Sequence, residues 1–145
     1  MSEIKEEYIH VETTQFLVEP NEDEEIFNEG TYGAALSTYL EIELNKLGYT
    51  GGAICEDWGY WIGVSHPEDP KMVLEAGVYC PKRKNENPME YVIVVMTHKT
   101  KRWVWSKLKS ISIAPMILQL QEDIRNILDS APETKVISIS DDMPD

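Results

Sequence analysis

Two carboxylates stand side by side in CEDWGYWIGV, residues 55–64, and three aromatic rings follow them within four residues. Paired carboxylates perform acid and base chemistry, or glycosidic cleavage, when both converge on one bond. Glu56 and Asp57 are neighbours, and along a straight strand neighbours point to opposite faces. The spacing therefore argues against a catalytic pair, and no catalytic residue is expected. The same segment reads better as a binding surface. With a strand over 58–66 paired to one over 72–80 through the turn PEDPK, Val64 faces Leu74, Ile62 faces Ala76 and Tyr60 faces Val78, giving one apolar face. That register puts Trp61 opposite Gly77 and Tyr79 opposite Gly59, a ring across from bare backbone each time. Trp58 falls on the apolar parity. The other face collects Asp57, Trp61, Val73, Glu75 and Tyr79, too polar for a core and too aromatic for plain solvated surface. The candidate binding residues are Glu56, Asp57, Trp58, Trp61, Glu75 and Tyr79.

Other chemistries find less support. His10, His66 and His98 are far apart and in no HExxH or Cys/His spacing, so neither metal nor cofactor is expected. Cys55 and Cys80 take opposite parity in this register, which argues against a bond between them. KTKRWVWSKLK interleaves bases with Trp103 and Trp105, the makings of a stacking platform for single-stranded nucleic acid. The formal net charge of −13 works against a polyanion, and two large rings on one face are expected to complete a core instead.

These residues need elements to position them. Tyr8–Val18 has strand composition and stops at Pro20. NEDEEIFNEG, residues 21–30, is expected to be a solvated loop pinned by Ile26 and Phe27. From Thr31 to Leu47, Tyr32, Leu36, Tyr39, Leu40, Leu44 and Leu47 recur at helical spacing, with Thr31 placed to cap the start and Gly48 to end the helix. Strands are expected over 58–66, 72–80 and 91–98, with a shorter apolar stretch at RWVWSKL. Pro115 suits a first helical turn, and Ile117, Leu120, Ile124, Ile127 and Leu128 form a second helical stripe. Lys135–Ser140 alternates like a half-buried strand. The expected fold is α+β: one mainly antiparallel sheet of five to six strands with two amphipathic helices on one face, in a single domain with flexible tails at 1–6 and 141–145.

Composition agrees with a folded chain: 42% of its 145 residues are hydrophobic and 27% charged. No apolar run spans a membrane, the acidic start is unlike a secretory signal, and two cysteines do not staple a fold, so a cytoplasmic protein is expected. Charge is uneven. Residues 1–30 hold ten acids and one lysine, while residues 82–109 hold eight bases against Glu86 and Glu90.

G-x-x-G-x-x-L-x-x-Y-L over 30–40, EDWGY at 56–60 and GVYC at 77–80 resemble small bacterial proteins of uncharacterised function that carry a Glu-Asp-Trp-Gly-aromatic signature after a short amphipathic helix. The resemblance covers the middle third of the chain and implies a bacterial α+β domain in which Glu56, Asp57 and Trp58 matter. It implies no activity. The expectation is a non-enzymatic acidic protein that binds a basic partner, as an immunity or inhibitor protein does, or pairs with a second copy. The alternative from another class is a small-molecule binder or enzyme with Glu56 at a pocket between the sheet and the first helix, lined by Tyr32, Tyr39 and Trp58.

Overall fold

A computed structural model describes residues 4–26 and 30–144. In chain order the elements are β1 Tyr8–Thr13, α1 Glu22–Glu25, α2 Ala34–Lys46, β2 Thr50–Glu56, β3 Gly59–Ser65, β4 Leu74–Tyr79, β5 Met89–Val95, β6 Lys101–Val104, a 3₁₀ turn Trp105–Lys107, β7 Lys109–Ser112, α3 Ala114–Ser130 and β8 Thr134–Ser140. Six strands form one antiparallel sheet in the order β2-β3-β4-β5-β1-β8, and β6 and β7 form a separate two-stranded hairpin. The α+β architecture is as the sequence implies. Among the described residues, no helix is long and apolar enough to cross a membrane.

Both long helices pack on one side of the sheet. α2 buries Leu36, Leu40 and Leu44, and α3 buries Ile117, Leu120, Ile124 and Leu128. They meet Ile9, Val11, Ile62, Val64, Ala76, Val78, Tyr91, Ile93 and Val95 in one contiguous cluster. Area-proportional burial of these side chains is the main source of stability. Tyr49 ties the two helices, its hydroxyl donating to Asp123 Oδ2 at 2.6 Å. Ile4 packs against this core and the Lys5 carbonyl accepts a bond from Gln121, which anchors the chain ahead of β1.

The end of α2 follows expectation. Gly48 adopts φ 99°, its N–H bonds the Asn45 carbonyl, and Tyr49 N–H reaches back to the Leu44 carbonyl, the paired closure that a left-handed glycine permits. Leu47, placed at that cap, is half exposed instead of joining the stripe. The start of α2 differs. The helix begins at Ala34, not Thr31, with Gly33 in the cap position and no side-chain cap of its own. The acceptor comes from Glu22. Its Oε2 takes the N–H groups of Gly33 at 2.9 Å and Ala34 at 3.2 Å, and its Oε1 takes Glu19 N–H at 2.9 Å. Residues 21–30 are thus not simply a solvated loop: Glu22 is 1% exposed, because a carboxylate answers the unpaired donors and positive dipole of a helix start better than water does. Asp23 accepts from the Tyr32 hydroxyl at 2.5 Å. Phe27 lies outside the described residues.

β2 is the element not anticipated from the sequence. Its run TGGAICE carries two glycines and little β-branching, so propensity points away from a strand. Pairing with β3 forms it anyway, from Thr50 opposite Ser65 to Glu56 opposite Gly59. As the sheet edge, it would leave outward N–H groups unpaired, and Glu41 of α2 accepts the one on Ala53 at 2.8 Å. At the other edge, β8 does not alternate simply. Val136 pairs with Val11 and Ser138 with His10, so Ile137 is an inserted bulge residue, and Ile137 and Ile139 are both close to half exposed.

The buried carboxylate gives a direct test. Glu22→Ala should lower unfolding stability by about 2–3 kcal/mol, because three backbone donors lose one charged acceptor. Glu22→Gln, which keeps one acceptor oxygen, should cost less. Urea melts with equal midpoints for wild type and Glu22→Ala would exclude this capping role.

Candidate functional site

With helices on one side, the opposite face of the sheet carries no helix. Its residues follow from the register. Trp61 pairs with Gly77 and Gly63 with Glu75, as the sequence implies, and Ile54 of β2 lies opposite Trp61. Glu56, two residues beyond Ile54 and opposite Gly59, shares this face. Glu75 sits between two donors: Trp61 Nε1–H donates to its Oε1 at 3.3 Å, and His98 Nε2 approaches its Oε2 at 3.2 Å. Farther across, Glu90 pairs with His10 at 2.8 Å and with Lys82, which hold its carboxyl below the usual range, Lys82 first.

Asp57 and Trp58 are not the entry of a strand. They are the two-residue loop that closes the β2–β3 hairpin between Glu56 and Gly59. Gly59 has φ 153°, and a side chain there would run into the Val78 carbonyl, so this turn requires glycine. The loop moves Trp58 away from the apolar parity assigned to it. Its ring packs on Tyr79 at 4.8 Å between centroids, above Gly77, on the helix-free face. Burial, then nearby Glu6, keeps the Tyr79 hydroxyl protonated above its usual range. Gly63 and Gly77 are covered, though not by the rings expected opposite the glycines. The Trp61 ring folds along its own strand over Gly63, and Gly77 is covered by Tyr79 of its own strand, by Met96 and by Trp58. Along-strand cover leaves the outer ring surfaces facing away from the sheet.

All six candidate residues therefore gather on one face or its rim: Glu56, Asp57 and Trp58 at the hairpin end, Trp61 and Tyr79 over glycines, and Glu75 between Trp61 and His98. Glu56 closes β2 and Asp57 opens the turn, so the alternation of a straight strand expected for the pair does not apply to them. The turn also reverses the parity of Cys55, which now shares the helix-covered side with Tyr60 opposite it and with buried Cys80. The opposite parity expected for the cysteines does not hold; both are free thiols, and burial pushes the Cys80 thiol up.

The proposed pocket behind Glu56 is not formed by these groups. Tyr32 is in the core, Trp58 is on the far side of the sheet, and Gly33 closes on Tyr60 and Val78, with 3.3 Å from its Cβ position to each. An open cleft of about 190 Å³ lies elsewhere, lined by Glu12, Thr13, Thr14, Pro88, Glu133, Thr134 and Lys135. Among the described residues, no three His, Cys, Asp or Glu side chains are grouped to hold a metal ion.

Sequence reasoning missed Ile54, because β2 was not read as a strand, and misplaced the tryptophans of the 101–112 hairpin. Trp103 and Trp105 complete no core. They are 46% and 78% exposed, and Leu108 beside them is 71% exposed. The hairpin is fixed at its base, where Arg102 makes a two-pronged bond to Asp69, Nε to Oδ2 at 2.7 Å and Nη2 to Oδ1 at 2.8 Å.

No family model, curated protein or solved structure matches the chain.

Two predictions arise from this geometry. Gly63→Ala should drive the Trp61 ring off its seat, shift tryptophan emission to the red and cost about 1–3 kcal/mol, as overpacking does; an unchanged emission spectrum would contradict the ring placement. The Arg102 hydrogen bonds hold the Asp69 carboxyl below its usual range. Its contribution is therefore complete above the unfolded value of about 4 and is lost as pH falls through the lowered folded value. Urea melts should show Asp69→Asn less stable than wild type at pH 7, with the gap narrowing below about pH 4. A gap constant down to strongly acid pH would contradict it.

Proposed function

We propose that this chain is a non-enzymatic binding protein of the immunity or inhibitor kind, which docks a basic protein stoichiometrically on the helix-free face of its sheet. One observation carries the reading: Ile54 is exposed and Trp58, Trp61 and Tyr79 are partly exposed on the face opposite the two long helices, with Glu56, Asp57 and Glu75 beside them. Aromatic anchors inside a polar rim are the anatomy of a protein interface. The carboxylates select a cationic partner and speed encounter more than they add affinity.

Rigidity supports the same reading. The rings rest on glycines within strands, Trp61 is held by Glu75, and little conformational freedom is left to lose on docking. A flat, preformed surface suits stoichiometric capture of another protein better than enclosure of a small molecule.

The test is capture of a basic protein by the immobilised chain, followed by titration of the purified pair. Trp61→Ser should weaken binding by about 30-fold or more, the loss expected of a central aromatic anchor. Glu56→Lys should mainly slow association, and raised salt should do the same to wild type. A captured protein that binds Trp61→Ser and Glu56→Lys as tightly as wild type would remove this face from the function.

A further inference from the structure

We infer that the β6–β7 hairpin of one copy docks on the helix-free face of a second copy, and that the contact is reciprocal. This rests on the reading of that face as a docking surface and names its occupant before the partner arrives.

The hairpin is the chemical complement of the face. From Lys99 to Ser112 it holds Lys99, Lys101, Arg102, Lys107 and Lys109 and no acid. Arg102 is spent on Asp69, whereas none of the ion pairs among the described residues uses the four lysines. Taking those five bases from the net −13 leaves the rest of the chain at −18, so a copy of this chain offers the hairpin an acidic body. Apolar surface matches as well. Trp105 and Leu108, at 78% and 71% exposure, form the tip, and Trp103 lies edge-on to Trp105 at 5.6 Å and 80°. Such a cluster on a small domain marks a contact site. Its counterpart is the strip of exposed Ile54 and partly exposed Trp58, Trp61 and Tyr79.

The tip does not sit on its own chain, as its exposure records. The hairpin is nevertheless held out rigidly, by the Arg102–Asp69 fork and by Ile113 N–H on the Thr100 carbonyl at 2.7 Å. A preformed arm and a preformed receiving face lose little entropy on joining. When two copies exchange arms about a two-fold axis, each contact occurs twice, and the second forms intramolecularly once the first exists.

Other occupants fit less well. Nucleic acid stacks on parallel, accessible ring faces, and an edge-to-face tryptophan pair breaks that platform. A polyanion or an anionic membrane would also meet repulsion from the body at −18; a second copy meets it too, but it alone brings the strip of Ile54, Trp58, Trp61 and Tyr79 edged by Glu56 to receive the tip and its lysines.

Sedimentation equilibrium of the purified full chain tests this without any partner. Wild type should be a dimer that weakens about tenfold or more when salt is raised from 50 to 500 mM, because the charges across the contact are screened. The double variant Trp105→Ser/Leu108→Ser and the double variant Trp61→Ser/Glu56→Lys should each be monomeric. Circular dichroism should show both folded, since the hairpin pair is exposed and the face pair lies outside the core. Mixed in equal amounts, they should form a heterodimer through the one intact arm-to-face contact, weaker than wild type. A monomeric wild type, a hairpin variant that dimerises like wild type, or a mixture that stays monomeric would each overturn the inference. So would a monomeric wild type whose hairpin binds anionic vesicles or an oligonucleotide at physiological salt. If self-association fails while the face still captures a basic protein, only this inference falls; if face variants retain capture, the underlying reading falls. Freed of its arm, the Trp105→Ser/Leu108→Ser variant should capture that protein more tightly than wild type.

Discussion

The two-residue closure between Glu56 and Gly59 is the constraint on which the rest of the surface depends. Gly59 turns the chain at φ 153° where the Val78 carbonyl excludes any Cβ. The two-residue loop sets the β2–β3 register and with it the face of each β2 residue, while the close approach of Gly59 to Val78 seats this corner against β4. It lifts Trp58 out of the apolar series and lays it on Tyr79. It sends Cys55 to the helix side and Ile54 to the other. A larger residue at 59 would shift the hairpin, and a shift of one position would exchange the two faces.

Once the register is set, the molecule is strongly asymmetric. α2 and α3 cover one face with aliphatic side chains, and Glu22 and Glu41 extend that cover by answering backbone donors at a helix start and at the β2 edge. The other face has no helix and must limit its own exposure. It does so with rings placed over Gly63 and Gly77, which shields backbone there while Trp58, Trp61 and Tyr79 stay partly exposed. A carboxylate stands among the rings, Glu75 beside Trp61 and His98, and in the proposed role the carboxylates of this face would select for positive charge. The 101–112 hairpin has the opposite chemistry and is fixed at its base by the Asp69–Arg102 fork.

Much of this architecture was legible in the sequence, for identifiable reasons. The β3–β4 pairing was readable because Val64, Ile62 and Tyr60 have apolar partners only in one register, and α3 was readable from Pro115 and its aliphatic stripe. β2 was not, because Gly51 and Gly52 suppress the strand signal and tertiary pairing overrides propensity there. Missing β2 displaced Trp58 and Cys55 and made a turn look like a strand entry. Glu22 was hidden for another reason: in a run of like charges, nothing local tells which carboxylate turns inward to a helix start eleven residues away. Trp103 and Trp105 were assigned to a core because large rings usually are buried, whereas here the core is complete without them. That Trp61, Glu75 and Tyr79 share one face was legible, since the β3–β4 register does not depend on β2.

Recognition of other molecules is proposed for the aromatic side of the sheet. Backbone amide shifts followed by NMR as the chain is concentrated, and then as a basic partner is added, test this most directly. Perturbations are expected along residues 54–61 and 75–79 in both titrations, joined by residues 101–109 on self-association, with the outer surface of α3 and the β8 edge unmoved. Perturbations centred on α3 or β8, with residues 54–61 and 75–79 silent, would contradict it.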